Sequence, residues 1–106
     1  MPKVTRRPAR LVVLISGGGS NLQALLDACA DEAYGARVVA VGSDRPSVAG
    51  LDRAAKAGVP HFVCRVRDYP SRVEWDADLA RQCRQYDPDL IISAGFMKLV
   101  GPAFLA

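Results

Sequence analysis

The chain has 106 residues, 50% hydrophobic and 24% charged, with a formal net charge of +3. That length accommodates one domain and excludes two, and the composition excludes disordered, collagen-like and membrane-spanning classes. Of its 14 basic residues, Lys3, Arg6, Arg7 and Arg10 lie within the first ten positions, and the remainder nearly balance the 11 acidic residues. The excess charge is read as a basic flexible tail, residues 1–9. No cluster of Lys and Arg interleaved with aromatics points to nucleic acid. The apolar run LVVLI at 11–15 is too short to span a membrane, and glycines end it without a signal-cleavage pattern, so no membrane association is expected. Cys29, Cys64 and Cys83 are odd in number and lack metal-ligand spacing, which points to the reducing cytoplasm and to no metal.

The run at 11–15 is continuously apolar and β-rich, the pattern of a strand buried on both faces. After Gly17, Gly18 and Gly19, the residues Leu22, Leu25, Leu26, Cys29 and Ala33 recur at helical spacing, with Gly35 placed to cap that helix. Residues 38–41 predict a second buried strand and 43–46 a turn. Ser47 then caps a short helix whose apolar face is Val48, Leu51 and Ala55, ended by Gly58. Residues 61–64 predict a short third strand. Ser71 and Glu74 form a capping box for a helix that buries Trp75, Leu79, Ala80 and Cys83 and stops at Asp87-Pro88. Residues 90–94 predict a fourth buried strand, and Gly101-Pro102 opens another helix.

This order predicts an α/β fold: a doubly wound, Rossmann-like parallel sheet with strand order 3-2-1-4, right-handed crossovers and helices on both faces. Ligands in such sheets bind at the strand carboxyl ends beside the switch point, here between strands one and four. Two loops lie there, residues 16–21 and 95–100. The first turns backbone N–H groups and the positive end of a helix towards an anion, and Ser20 and Asn21 add side-chain donors. It is not a P-loop, which needs Gly-Lys-Ser/Thr. Nor is it the dinucleotide fingerprint, which needs glycine where Leu22 stands, although Asp44 partly matches that fingerprint's ribose-binding acid.

The residues alone also allow a plainer reading, in which the glycines make a tight turn and Ser20 is a cap. Phe96, Met97 and Leu99 equally fit core packing. His61, Asp87, Asp89, Cys29 and Cys83 read as structural, and Trp75 as a packing anchor.

Four stretches resemble the folate-dependent phosphoribosylglycinamide formyltransferases: LISGGGSNLQA at 14–24, DAC at 27–29, GL at 50–51 with AG at 57–58, and AGFMKLVGPAF at 94–104. The likeness runs from about residue 10 to the end. Methionyl-tRNA formyltransferase and formyltetrahydrofolate deformylase share the fold but resemble the first loop less. Gly18 stands where many members carry asparagine, with no loss of function expected. The resemblance implies a sheet of the formyltransferase type and makes residues 10–106 the amino-terminal half of one formyltransferase domain. It implies Gly19, Ser20 and Asn21 as contacts to the phosphoribosyl substrate. It implies Arg72, Met97, Lys98, Leu99 and Val100 on the side of the formyl donor, 10-formyltetrahydrofolate.

The implied reaction passes a formyl group from that folate to the amine of glycinamide ribonucleotide in de novo purine synthesis. It needs donors for a developing oxyanion and a titratable group for the leaving folate nitrogen. The family's asparagine, histidine and aspartate for these roles match no residue here. The resemblance implies them downstream of Ala106, so the 106 residues by themselves are expected to be inactive. A homodimer is allowed. Two other classes compete: a nucleotide-dependent oxidoreductase domain and a non-enzymatic module that binds a phosphorylated ligand.

Overall fold

Residues 8–96 are described by the computed structural model. Strand β1, Ala9–Ile15, is the axis of the fold. It pairs in parallel with β2, Ala36–Ser43, on one side and with β4, Leu90–Ser93, on the other, while β3, His61–Val63, extends the sheet beyond β2. The order is β3-β2-β1-β4, as the alternation of elements predicts.

Successive side chains of a strand point to opposite faces, and β1 uses both. Val12 and Leu14 enter a core with Trp75, Leu79 and Cys83 of helix α3, Arg72–Arg84. Val13 and Ile15 enter a second core with Leu22 of α1, Ser20–Cys29, and with Leu51 and Ala54 of α2, Ala49–Lys56. One helix therefore covers one face and two cover the other, which is double winding. Each fully buried Val, Leu or Ile contributes roughly 1.5–3 kcal/mol, so β1 anchors both cores at once. Trp75 is fully buried and its indole N–H donates to the Cys64 carbonyl at 2.7 Å, fastening α3 to the end of β3. Ser71 caps α3 as its spacing predicts, its hydroxyl accepting from the Glu74 N–H at 3.2 Å.

Several expectations are corrected. Ala9, assigned to the tail, opens β1, and Arg10, counted with the excess terminal charge, is bound: its backbone N–H donates to Asp89 at 2.7 Å and its guanidinium to the carbonyls of Tyr86 and Asp87 at 2.7–3.0 Å. A cation there satisfies free carbonyls just past the end of α3 and sits at the negative end of that helix's dipole. Helix α1 stops at Cys29, and a separate 3₁₀ turn, Glu32–Tyr34, follows, so Ala33 is exposed and Gly35, at φ 78°, caps that turn instead. Ser47 does not cap α2. It adopts φ 57° in the preceding turn, and Val48 takes the cap position without a side-chain bond. Ala54 rather than Ala55 faces the core. Strand β3 ends at Val63, although the Cys64 N–H still reaches the Ser43 carbonyl at 2.8 Å. Strand β4 is not buried: Leu90 is 59% and Ile91 38% exposed, because among the described residues it has a neighbour on one side alone. The helix expected from Gly101-Pro102 lies outside the described residues.

Candidate functional site

The carboxyl end of β1 opens into Ser16 and the three glycines. Ser16 is buried and its hydroxyl donates to Asp44 Oδ1 at 2.6 Å, tying the start of the loop to the end of β2. This bond and its 6% exposure make Asp44 a strut between two strand ends, not a surface acid presented to a ribose. Gly19 then adopts φ 76°, ψ 29° as the cap residue of α1, a left-handed conformation that strains any residue with a Cβ. Ser20 is thus the first helical residue, not the cap, and both Ser20 and Asn21 are exposed.

Helix α1 has no side-chain cap bond and no acidic residue in its first turn. Its leading N–H groups lack the acceptor that Ser71 supplies to α3, and they retain the positive end of the dipole. An uncapped helix start behind a glycine loop is an anion-receptive geometry.

The loop is shaped from outside. The Gly17 carbonyl accepts from Gly50 N–H at 3.1 Å, and the Gly18 carbonyl from Arg53 Nε at 2.7 Å. Arg53 also donates from Nη1 to Gln23 Oε1 at 3.3 Å, and Gln23 donates onward to Asp27 at 2.9 Å. Helix α2 therefore splints the loop. Gly50 belongs to one of the stretches that carry the resemblance, but sequence reasoning assigned no role to it or to Arg53. The signal was there: a glycine in the first turn of a helix is costly unless something approaches closely.

Of the second expected group, Arg72 alone lies within the described residues. Arg72, exposed at the start of α3, lies with its guanidinium carbon 4.7 Å from the centre of the Trp75 ring. Phe96 stacks on the same indole, with ring centres 6.2 Å apart and planes 7° from parallel. Trp75 so joins the start of α3 to the loop after β4, two segments assigned to one ligand. Met97, Lys98, Leu99 and Val100 lie outside the described residues. Arg72 and the group Gly19, Ser20 and Asn21 belong to two different segments, the start of α3 and the loop after β1.

Elsewhere the chemistry is structural. His61 is exposed at the head of β3, and Asp89 holds Arg10. Burial raises the thiol pKa of Cys29 and Cys64 and pushes Cys83 up to about 12, so none is a ready nucleophile. Among the described residues no group of three His, Cys, Asp or Glu side chains is arranged to hold a metal ion. Nor is any helix among them long and apolar enough to cross a membrane. A cleft of about 560 Å³ at the opposite, amino-terminal ends of the strands, lined in part by Arg10, Arg37 and Tyr86, takes no part in the loop site.

A four-stranded parallel sheet in the order β3-β2-β1-β4, with helices on both faces and a glycine-rich loop beside its switch point, defines a doubly wound α/β protein. Within that class the chain belongs to the formyl transferase family, whose model matches residues 9–106. It is 52% identical over 99 residues to a phosphoribosylglycinamide formyltransferase of Mycobacterium tuberculosis, covering 93% of this chain and 45% of that protein. To the Escherichia coli phosphoribosylglycinamide formyltransferase it is 41% identical over 96 residues, covering 91% and 45%. The crystal structure of glycinamide ribonucleotide transformylase 1 from Symbiobacterium toebii superposes with a TM-score of 0.90 at 44% identity, covering 95% of this chain and 48% of that one. The chain spans about half the length of these relatives.

Proposed function

We propose that this chain forms the substrate-binding part of a phosphoribosylglycinamide formyltransferase. That enzyme moves a formyl group from 10-formyltetrahydrofolate to the amine of glycinamide ribonucleotide in cytoplasmic purine synthesis. The observation that carries the reading is the 52% identity over 93% of the chain to a relative of that name. The uncapped start of α1 adds physical support, since a phosphate supplies the acceptor that its first turn lacks.

In this reading Gly19, Ser20 and Asn21 hold the phosphate of glycinamide ribonucleotide. The helix dipole alone supplies about 0.3–1 kcal/mol, so most of the affinity comes from the backbone N–H groups and the two side-chain donors. Arg72 faces the carboxylate-bearing end of the folate, as its charge suits, and residues Met97, Lys98, Leu99 and Val100 line the slot for its flat heterocycle. The folate supplies an activated one-carbon unit, and the role of these residues is to align it with the attacking amine. No described residue is assigned to proton transfer, so binding is the role these residues are expected to carry.

Calorimetric titration with glycinamide ribonucleotide tests the reading. Saturable binding that the double variant Ser20→Ala/Asn21→Ala weakens at least tenfold supports it, roughly the effect of losing one charge-assisted hydrogen bond. Binding of NADH in place of both glycinamide ribonucleotide and folate would establish the oxidoreductase reading instead.

A further inference from the structure

We infer that Arg53 is a positioning residue for the bound phosphate, acting through the Gly18 carbonyl; this rests on the proposed function and assigns a role that the binding loop does not itself carry. The peptide bonds of the loop are trans, so the carbonyl of one residue and the N–H of the next point in opposite directions. Arg53 draws the Gly18 carbonyl towards α2 at 2.7 Å, and the Gly19 N–H is thereby turned away from α2. Gly50 does the same one peptide earlier, drawing in the Gly17 carbonyl at 3.1 Å and turning the Gly18 N–H outwards.

The space around the loop agrees with this division. A Cβ on Gly17 or Gly18 would meet nothing within 4 Å, whereas one on Gly19 would meet the Gly50 Cα at 2.7 Å and the Arg53 Cδ at 3.3 Å. The loop thus has a splinted side and an open side, and the outward N–H groups face the open one. A free glycine loop would sample many orientations of these peptides and lose that freedom on binding. Arg53 removes the loss beforehand. Its second bond, to Gln23 in α1, sets the guanidinium at a fixed angle, which a lysine ammonium cannot reproduce. Its charge also lies beside the loop, where it raises anion affinity.

The two contributions separate by substitution. Titrations of the protein with glycinamide ribonucleotide, and with inorganic phosphate as a minimal probe, are followed by calorimetry and by the amide resonances of Gly18, Gly19 and Ser20. Arg53→Met, which keeps the apolar stem, is expected to weaken both ligands about tenfold, the loss of one hydrogen bond to a charged donor. Arg53→Lys keeps the charge and is expected to recover only part of that loss. A purely structural Arg53 would lower Tm and leave the affinity of the folded protein unchanged. Affinity equal to wild type in Arg53→Met, or in Arg53→Lys should the methionine variant not fold, overturns the inference while leaving the proposed function intact. A wild-type protein that binds neither ligand overturns both.

Discussion

Gly19 and Gly50 meet backbone against backbone: a Cβ on Gly19 would stand 2.7 Å from the Gly50 Cα, and one on Gly50 would stand 2.9 Å from the Gly17 carbonyl oxygen and overlap the Ile15 side chain. The glycine loop and the first turn of α2 are therefore one packed unit. Gly50→Ala is expected to destabilise the fold by about 1–3 kcal/mol, the usual cost of overpacking. In a domain of this size that lowers Tm by roughly 4–8 °C for each kcal/mol. Gly18→Asn, by contrast, enters open space and should stay within about 0.5 kcal/mol of wild type. Thermal unfolding of the two variants side by side checks the pair, and equal Tm values would falsify the packing claim.

A second expectation concerns acid and alkali. The Asp78 carboxylate accepts from the Tyr69 hydroxyl, from Arg81 Nε at 2.7 Å and from Gln82 at 3.0 Å. The Tyr69 bond above all holds its pKa below the ordinary value, against the opposing effect of burial. A depressed carboxylate contributes stability that is present above its unfolded pKa of about 3.9 and is lost as pH falls through the lower folded value. The stability gap between wild type and Asp78→Asn should therefore narrow as pH is lowered from about 5 to about 2.

Tyr69 runs the other way. Burial first, and then its bond to Asp78, raise its pKa, so its stabilisation is complete below about 10 and falls as pH rises above it. Tyr69→Phe should remove that alkaline loss. Denaturant titrations across pH measure both, and parallel pH profiles for wild type and variants would show that the pair is not linked to folding.

The thiols give a third test. Cys64 and Cys83 are buried and Cys29 is half-buried. All three are held as neutral thiols, Cys83 most strongly with its pKa pushed up to about 12. A thiol reagent at mildly alkaline pH should label Cys29 first and reach the other two only through unfolding. Mass spectrometry of the partly labelled protein decides it; early labelling of Cys83 contradicts the described core.

The sheet edge gives a fourth. Ile15 is fully buried between β1 and the helices, while Leu90 on β4 is 59% exposed. Ile15→Ala is expected to cost about 2–5 kcal/mol and Leu90→Ala under about 1 kcal/mol in the 106-residue chain. Chemical denaturation of both variants measures the contrast, and a Leu90→Ala cost as large as that of Ile15→Ala would mean that β4 is covered.

Much of this was legible in residue order. The run at 11–15 announced a doubly buried strand, Ser71 and Glu74 announced the start of α3, and alternation of elements announced the order 3-2-1-4, because each signal is local or follows from chain connectivity. The failures cluster at short segments. Ser47 has the chemistry of a cap residue, yet loop geometry set by packing made Val48 the cap. Ala55 and Ala54 are indistinguishable by composition, and only the angle at which α2 meets the sheet selects the buried one.

The candidate site divides along the same line. By itself the sequence determined that a glycine-rich loop joins β1 to α1 at the switch point, and the same letters carried the family resemblance. Only the tertiary structure decided what holds that loop: Gly50 and Arg53 reach it from α2, about thirty residues away along the chain, and Ser16 is tied to Asp44 across two strands. Arg10 passed from an excess charge near the terminus to a partner of the carbonyls beyond α3 for the same reason. Local chemistry writes turns, strands and helix starts into the sequence. Which distant donors meet them depends on the distances that folding of the whole sheet creates.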